Sequence, residues 1–152
     1  MKRIVMTVLA LMLLTGCGAR QAKEIDLAQF FAEISEKYGL VGMVELEGEM
    51  LDVCYPGLSD VNTVQRVAYA PMISASVSEY VFLQCADAAA VQEAETILRD
   101  RVRSQAEGGA WYPESMAAWS RAQIVTRGNY VLLIASDGQE EQIAADFAAL
   151  WR

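Results

Sequence analysis

Arg127-Gly128-Asn129-Tyr130-Val131-Leu132-Leu133-Ile134-Ala135-Ser136-Asp137 carries the decision about fold class. Gly128-Asn129 is a pair able to take the positive backbone angles of a two-residue hairpin, so the chain should double back there. Val131 to Ala135 is apolar without alternation, which marks a strand covered on both faces rather than wetted on one. A hairpin needs a partner, and 121–127 supplies it. After the strand, Asp137 and Gly138 lead into a helix across 138–151, whose stripe is Ile143, Phe147, Leu150 and Trp151.

Working back toward the N-terminus, the same order recurs. Residues 64–72 and 78–86 read as two strands joined by a serine-rich turn. In the second, Val81, Leu83 and Cys85 share one side, and Tyr80 and Phe82 the other. Asp87 then opens a helix to about Ala106, with Val91, Ala94, Leu98 and Val102 along one stripe and Gly108-Gly109 as its stop. Pro113 to Trp119 suits a short helix, with proline in the first turn. Residues 26–38 give the clearest helix: Leu27, Phe30, Phe31, Ile34 and Tyr38 fall on one face, Asp26 can cap it and Gly39 can end it. A shorter helix spans 47–55 before Pro56-Gly57, and 41–46 is ambiguous. The expected architecture is α+β: a four-stranded antiparallel sheet built from two ββα units, with the 87–106 and 138–151 helices packed on one face, preceded by an N-terminal amphipathic helix.

The first residues serve another purpose. Lys2 and Arg3 precede the apolar run from Ile4 to Leu14, the layout of an export signal. The run is short of the roughly 18–20 apolar residues that cross a bilayer as a helix. It ends in Leu14-Thr15-Gly16-Cys17, which resembles a bacterial lipobox. That resemblance implies cleavage after residue 16 and a diacylglycerol on Cys17, with acyl chains anchoring the protein to the cell membrane on its extracytoplasmic face. Gly18 to Lys23 reads as a tether, and 26–152 as one domain. Removing 1–16 takes away Lys2 and Arg3 and no acid, which moves the formal charge from −8 to −10. So acidic a domain is repelled by phosphate backbones, and no nucleic acid partner is expected.

The lipobox, the amphipathic helix behind it, Tyr69-Ala70-Pro71-Met72, Ser76-Val77-Ser78-Glu79 and the 127–137 stretch together resemble domain-of-unknown-function family 4358, a family of bacterial lipoproteins. The resemblance runs from about Asp26 to the end. It implies location and architecture, and brings no assigned activity, cofactor or catalytic residue.

Residue types narrow the chemistry. The chain has no histidine, which removes Ser-His-Asp triads, Cys-His dyads and ordinary zinc sites. Past residue 17 the lysines are Lys23 and Lys37, and neither suits a Ser–Lys pair. No phosphate loop or calcium loop is legible, and no cofactor or metal is implied. Cys54 and Cys85 allow a disulfide worth roughly 3–4 kcal/mol or two free thiols, the reading preferred here. Trp111, Tyr112 and Trp119 are a candidate partner surface, or else anchors of the short helix onto the sheet. Asp137, Glu140 and Glu141 suggest either a cation site or, preferably, helix capping by Asp137 with the glutamates at the positive helix end. Glu79 heads an apolar strand, which allows a partly buried carboxylate or, preferably, a surface edge position.

Two functional classes survive. One is a non-catalytic binding or interaction module of the envelope, holding a protein, wall or small-molecule partner. The other is a carboxylate-dependent envelope hydrolase, which needs two acids converging in a cleft. The module is the preferred expectation, and no catalytic residue is named.

Overall fold

The computed structural model describes residues 24–73 and 77–152. The export signal at 1–16, Cys17, the 18–23 tether and most of the serine-rich turn, with Ser76, lie outside the described residues. The elements run α1 (Leu27–Tyr38), β1 (Met43–Glu45), α2 (Gly48–Cys54), β2 (Thr63–Pro71), β3 (Glu79–Cys85), α3 (Ala88–Ser104), α4 (Pro113–Trp119), β4 (Gln123–Arg127), β5 (Tyr130–Ala135) and α5 (Glu140–Ala149). The strands form one antiparallel sheet in the order β1-β2-β3-β5-β4.

Local chemistry explains most boundaries. Asp26 accepts the Gln29 amide at 2.9 Å and starts α1, and Gly39 ends it in the left-handed conformation, φ 65°. Asp87 caps α3 through the Ala90 amide at 2.9 Å. The α-helical part of α3 stops at Ser104, two residues before the expected end, and the chain widens into a π-turn over Gln105–Gly109, where Gly108 takes φ 126°. Gly128, φ 60°, turns the β4–β5 hairpin, which pairs Arg127 with Tyr130. Asn129 then ties that turn to the end of β3: its side chain donates to the Cys85 carbonyl at 2.9 Å and its carbonyl accepts the Cys85 amide at 2.7 Å.

Two expectations are corrected. The sheet has five strands rather than four, because Met43–Glu45 within the ambiguous stretch pairs with Tyr69–Pro71. Three residues carry too little alternation to read as a strand alone; the ladder to β2 makes them one. The two long helices also lie on opposite faces. Ala90, Ala94 and Leu98 of α3 pack with Val81, Leu83, Val131 and Leu133, together with α2 and α4. Ile143 and Phe147 of α5 pack with Phe30 and Phe31 of α1 against Tyr80, Phe82, Leu132 and Ile134. The physical reason is that β3 and β5 carry large apolar side chains on both sides, and every residue of β5 is buried. One layer of helices covers one face; the other face needs its own.

The chain enters at one end of this sandwich. The Ile25 amide donates to Tyr130 Oη at 3.0 Å and the Leu27 amide to Gln65 Oε1 at 3.0 Å, while Gln65 Nε2 donates to the Ile25 carbonyl at 2.9 Å. Here Gln84 faces Tyr130; at the other end of the same ladder Glu79 faces Ala135. Five residue steps separate the two ends, about 17 Å at strand spacing.

Candidate functional site

At the end of the sheet away from Ile25, two buried groups and one half-buried cation converge from different elements. Glu79 is the first residue of β3, Arg101 lies in the last turn of α3, and Tyr55 follows α2 directly. Arg101 Nε donates to Glu79 Oε1 and Nη2 to Oε2, both at 2.9 Å, the parallel fork that a guanidinium makes with a carboxylate. Tyr55 Oη also donates to Glu79 Oε1. The guanidinium carbon sits 5.5 Å from the ring centres of both Tyr55 and Trp119, so aromatic rings hold the cation as well. Glu79 is 5 % exposed, which corrects the expected surface position.

Burial sets the electrostatics. It pushes the Tyr55 hydroxyl well above its ordinary range, and the adjacent Glu79 charge raises it further, so the phenol keeps its proton and stays a donor. Burial opposes the charge on Arg101, but Glu79 outweighs it and holds the guanidinium above its already high value. Burial also raises the Cys54 thiol, with Arg101 opposing, and raises Cys85. Both cysteines are free thiols, as preferred from sequence, and neither has the lowered value of an activated nucleophile.

Beside this cluster opens a half-enclosed cavity of about 290 Å³. Its walls are Val44, Leu46, Met50, Ala70, Pro71, Met72, Val77 and Trp119, with Cys54, Ser78, Glu79, Arg101 and Gln105 as the polar part. Met50 and Met72 stand at its rim, 55 % and 71 % exposed. The cavity exists because β1 and α2 fold over the end of β2, while the α3 terminus and α4 close the other side.

The aromatic trio is split. Trp111 is 88 % and Tyr112 51 % exposed, but Trp119 is 4 % exposed, a core residue that shows one edge to the cavity. The acidic trio is split too. Asp137 points to solvent and does not cap α5. Ser136 does the work expected of Asp137: its hydroxyl accepts the Gln139 amide at 2.9 Å and donates to Glu140 Oε2 at 2.7 Å. Arg121 Nε reaches Glu140 Oε1 at 3.3 Å. Burial works against the Glu140 charge, but Ser136, a backbone amide and Arg121 outweigh it and hold the carboxyl below its ordinary range. Among the described residues no group of three or more cysteine, aspartate or glutamate side chains is placed to hold a metal ion.

The sequence reading missed Arg101 and Tyr55. Arg101 had a signal, since it falls three positions after Leu98 on the buried stripe of α3. Tyr55 had none beyond being an aromatic at a helix end.

Residues 36–136 match a family model described as a domain of unknown function, DUF4358, over more than half of the chain. No curated protein and no solved structure matches it. The matched segment holds every strand and both halves of the Glu79–Arg101 pair, and the chain belongs to the DUF4358 family.

Proposed function

We propose that this protein is a lipid-anchored extracytoplasmic lipoprotein whose domain is a non-catalytic binding module, holding an envelope partner at the cavity beside Glu79 and Arg101. The observation that carries the binding reading is that the cavity's charged groups are already paired with each other. Both Glu79 oxygens are engaged by Arg101 and Tyr55, so the wall offers shape and apolar area rather than a free acid or base. A carboxylate hydrolase needs an acid with a raised pKa opposite a second carboxylate. Glu79 is the one acid among the cavity's described residues. In the groove that holds Glu140 and Glu141, Glu140 is pulled in the wrong direction for a proton donor.

The anchoring part rests on Lys2, Arg3, the apolar run and Leu14-Thr15-Gly16-Cys17. Among the described residues no helix is long and apolar enough to cross a membrane; the assignment of lipid to Cys17 rests on the lipobox-like Leu14-Thr15-Gly16-Cys17. Cys17→Ala should leave the precursor uncleaved or release the product from membranes. A processed Cys17→Ala protein that still sediments with membranes contradicts the assignment.

For the module, crosslinking in intact cells should capture a discrete partner with the wild-type chain and lose it with Met50→Asn combined with Met72→Asn. Both side chains are exposed at the cavity rim, so the fold should tolerate the change. An unchanged crosslink pattern removes the cavity as the contact site.

A further inference from the structure

Strand β1 is an edge of the sheet. The Leu46 amide donates to the Ala68 carbonyl at 2.8 Å and the Met72 amide to the Gly42 carbonyl at 2.8 Å. In an antiparallel ladder, bonded and non-bonded positions alternate. Residues 42, 44 and 46 therefore turn their backbone groups toward β2, and Met43 and Glu45 turn theirs outward. Side chains alternate across the sheet instead: Val44 and Leu46 point to the cavity side, and Met43 packs on the other face. An extended chain laid along this edge would pair its backbone with Met43 and Glu45. Its residue opposite Val44 would project to the cavity side, next to the apolar walls. The surroundings also carry charge. Glu45, Glu47 and Glu49 are all exposed, on β1 and the start of α2.

We propose that the β1 edge and the adjoining cavity form a receptor for an extended, basic peptide segment, added as a further strand with one apolar side chain in the cavity. This rests on the binding-module reading and names its ligand class. Backbone pairing supplies affinity that is blind to sequence, the cavity selects one apolar side chain, and the three glutamates select cationic flanks. The strand's length fits a single guest. Three residues are too few to template open-ended association, a common protection of sheet edges.

The test uses the purified full-length protein and a dye-labelled Lys-Thr-Met-Thr-Lys-amide, followed by fluorescence polarisation. Saturable binding is expected, weakened about tenfold or more when both lysines become glutamate or when both threonine nitrogens are methylated. Methylation leaves the side chains intact and removes the amide donors that face Met43 and Glu45, so this arm needs no protein variant to fold. Glu45→Pro should weaken binding comparably, because it deletes an outward amide and spares the bonds to β2. Its thermal unfolding should stay near that of wild type. Absence of saturable binding, or equal binding by the methylated peptide, overturns strand addition. The crosslinking of the Met50→Asn, Met72→Asn protein is judged separately: if it loses its partner while the peptide fails, the cavity reading stands and only the ligand class is wrong.

Discussion

Arg101→Met should destabilise the domain by about 3–5 kcal/mol, because it strands the Glu79 carboxylate in a buried site with Tyr55 as its remaining donor. The change is close in size, so packing loss is a minor part. Against an ordinary domain stability of about 5–15 kcal/mol, the single variant should sit near its folding limit. Combining it with Glu79→Leu should recover part of the loss, since the desolvated charge is gone while the buried Tyr55 hydroxyl loses its acceptor. Urea titrations followed by circular dichroism give both values. A double variant as unstable as the single one would mean that Arg101 acts through its contacts with Tyr55 and Trp119 rather than through the ion pair.

The second large effect is on the other face. Phe147 is fully buried and meets Phe30 at 5.5 Å, Tyr130 at 6.2 Å and Trp151 at 4.7 Å between ring centres. Phe147→Ala should cost about 3–5 kcal/mol, the lost transfer of the ring plus the cavity it leaves. Phe147→Leu keeps most of the volume and should cost about 1 kcal/mol. The urea midpoint should fall with an unchanged slope in both variants, as expected for lost stability rather than altered compactness. Equal midpoints for the two would show that the aromatic cluster of α1, β5 and α5 collapses around any gap, and that the ring itself is dispensable.

Much of the fold was legible because its signals are local. The 26–38 stripe, the Asp87 cap, Pro113 in a first turn and Gly128-Asn129 each act within a few residues, and the corresponding elements stand where those residues put them. Strand β1 was not, since its identity comes from bonds to residues more than twenty positions away. The face assignment failed for another reason. Tyr80-Val81-Phe82-Leu83 carries large apolar groups on both sides, a pattern that asks for two helical layers, whereas the matched ββα order by itself points to one. The candidate site was legible only in pieces. Glu79 stands out in the sequence as an acid heading an apolar strand, but its partner is 22 residues further on, and only the packing of α3 on the sheet joins them. Trp119 could not be told from Trp111 by type; helix α4 turns one inward, and the other precedes the helix.

The face made of Tyr80, Phe82, Leu132 and Ile134 is roofed by α1 and α5, the first and last described helices, and Lys37 of α1 reaches Asp146 of α5 at 2.6 Å across 109 positions of chain. The opposite face is roofed by α2, α3 and α4, all drawn from the middle. A growing chain can therefore close one half of its interior once β5 is in place, whereas the other half stays uncovered until α5 has also docked. Contacts between such distant positions form late, since the loop entropy must be met first. Until that clasp closes, the face of Tyr80, Phe82, Leu132 and Ile134 lacks its helical cover, and uncovered apolar sheet of this kind favours aggregation.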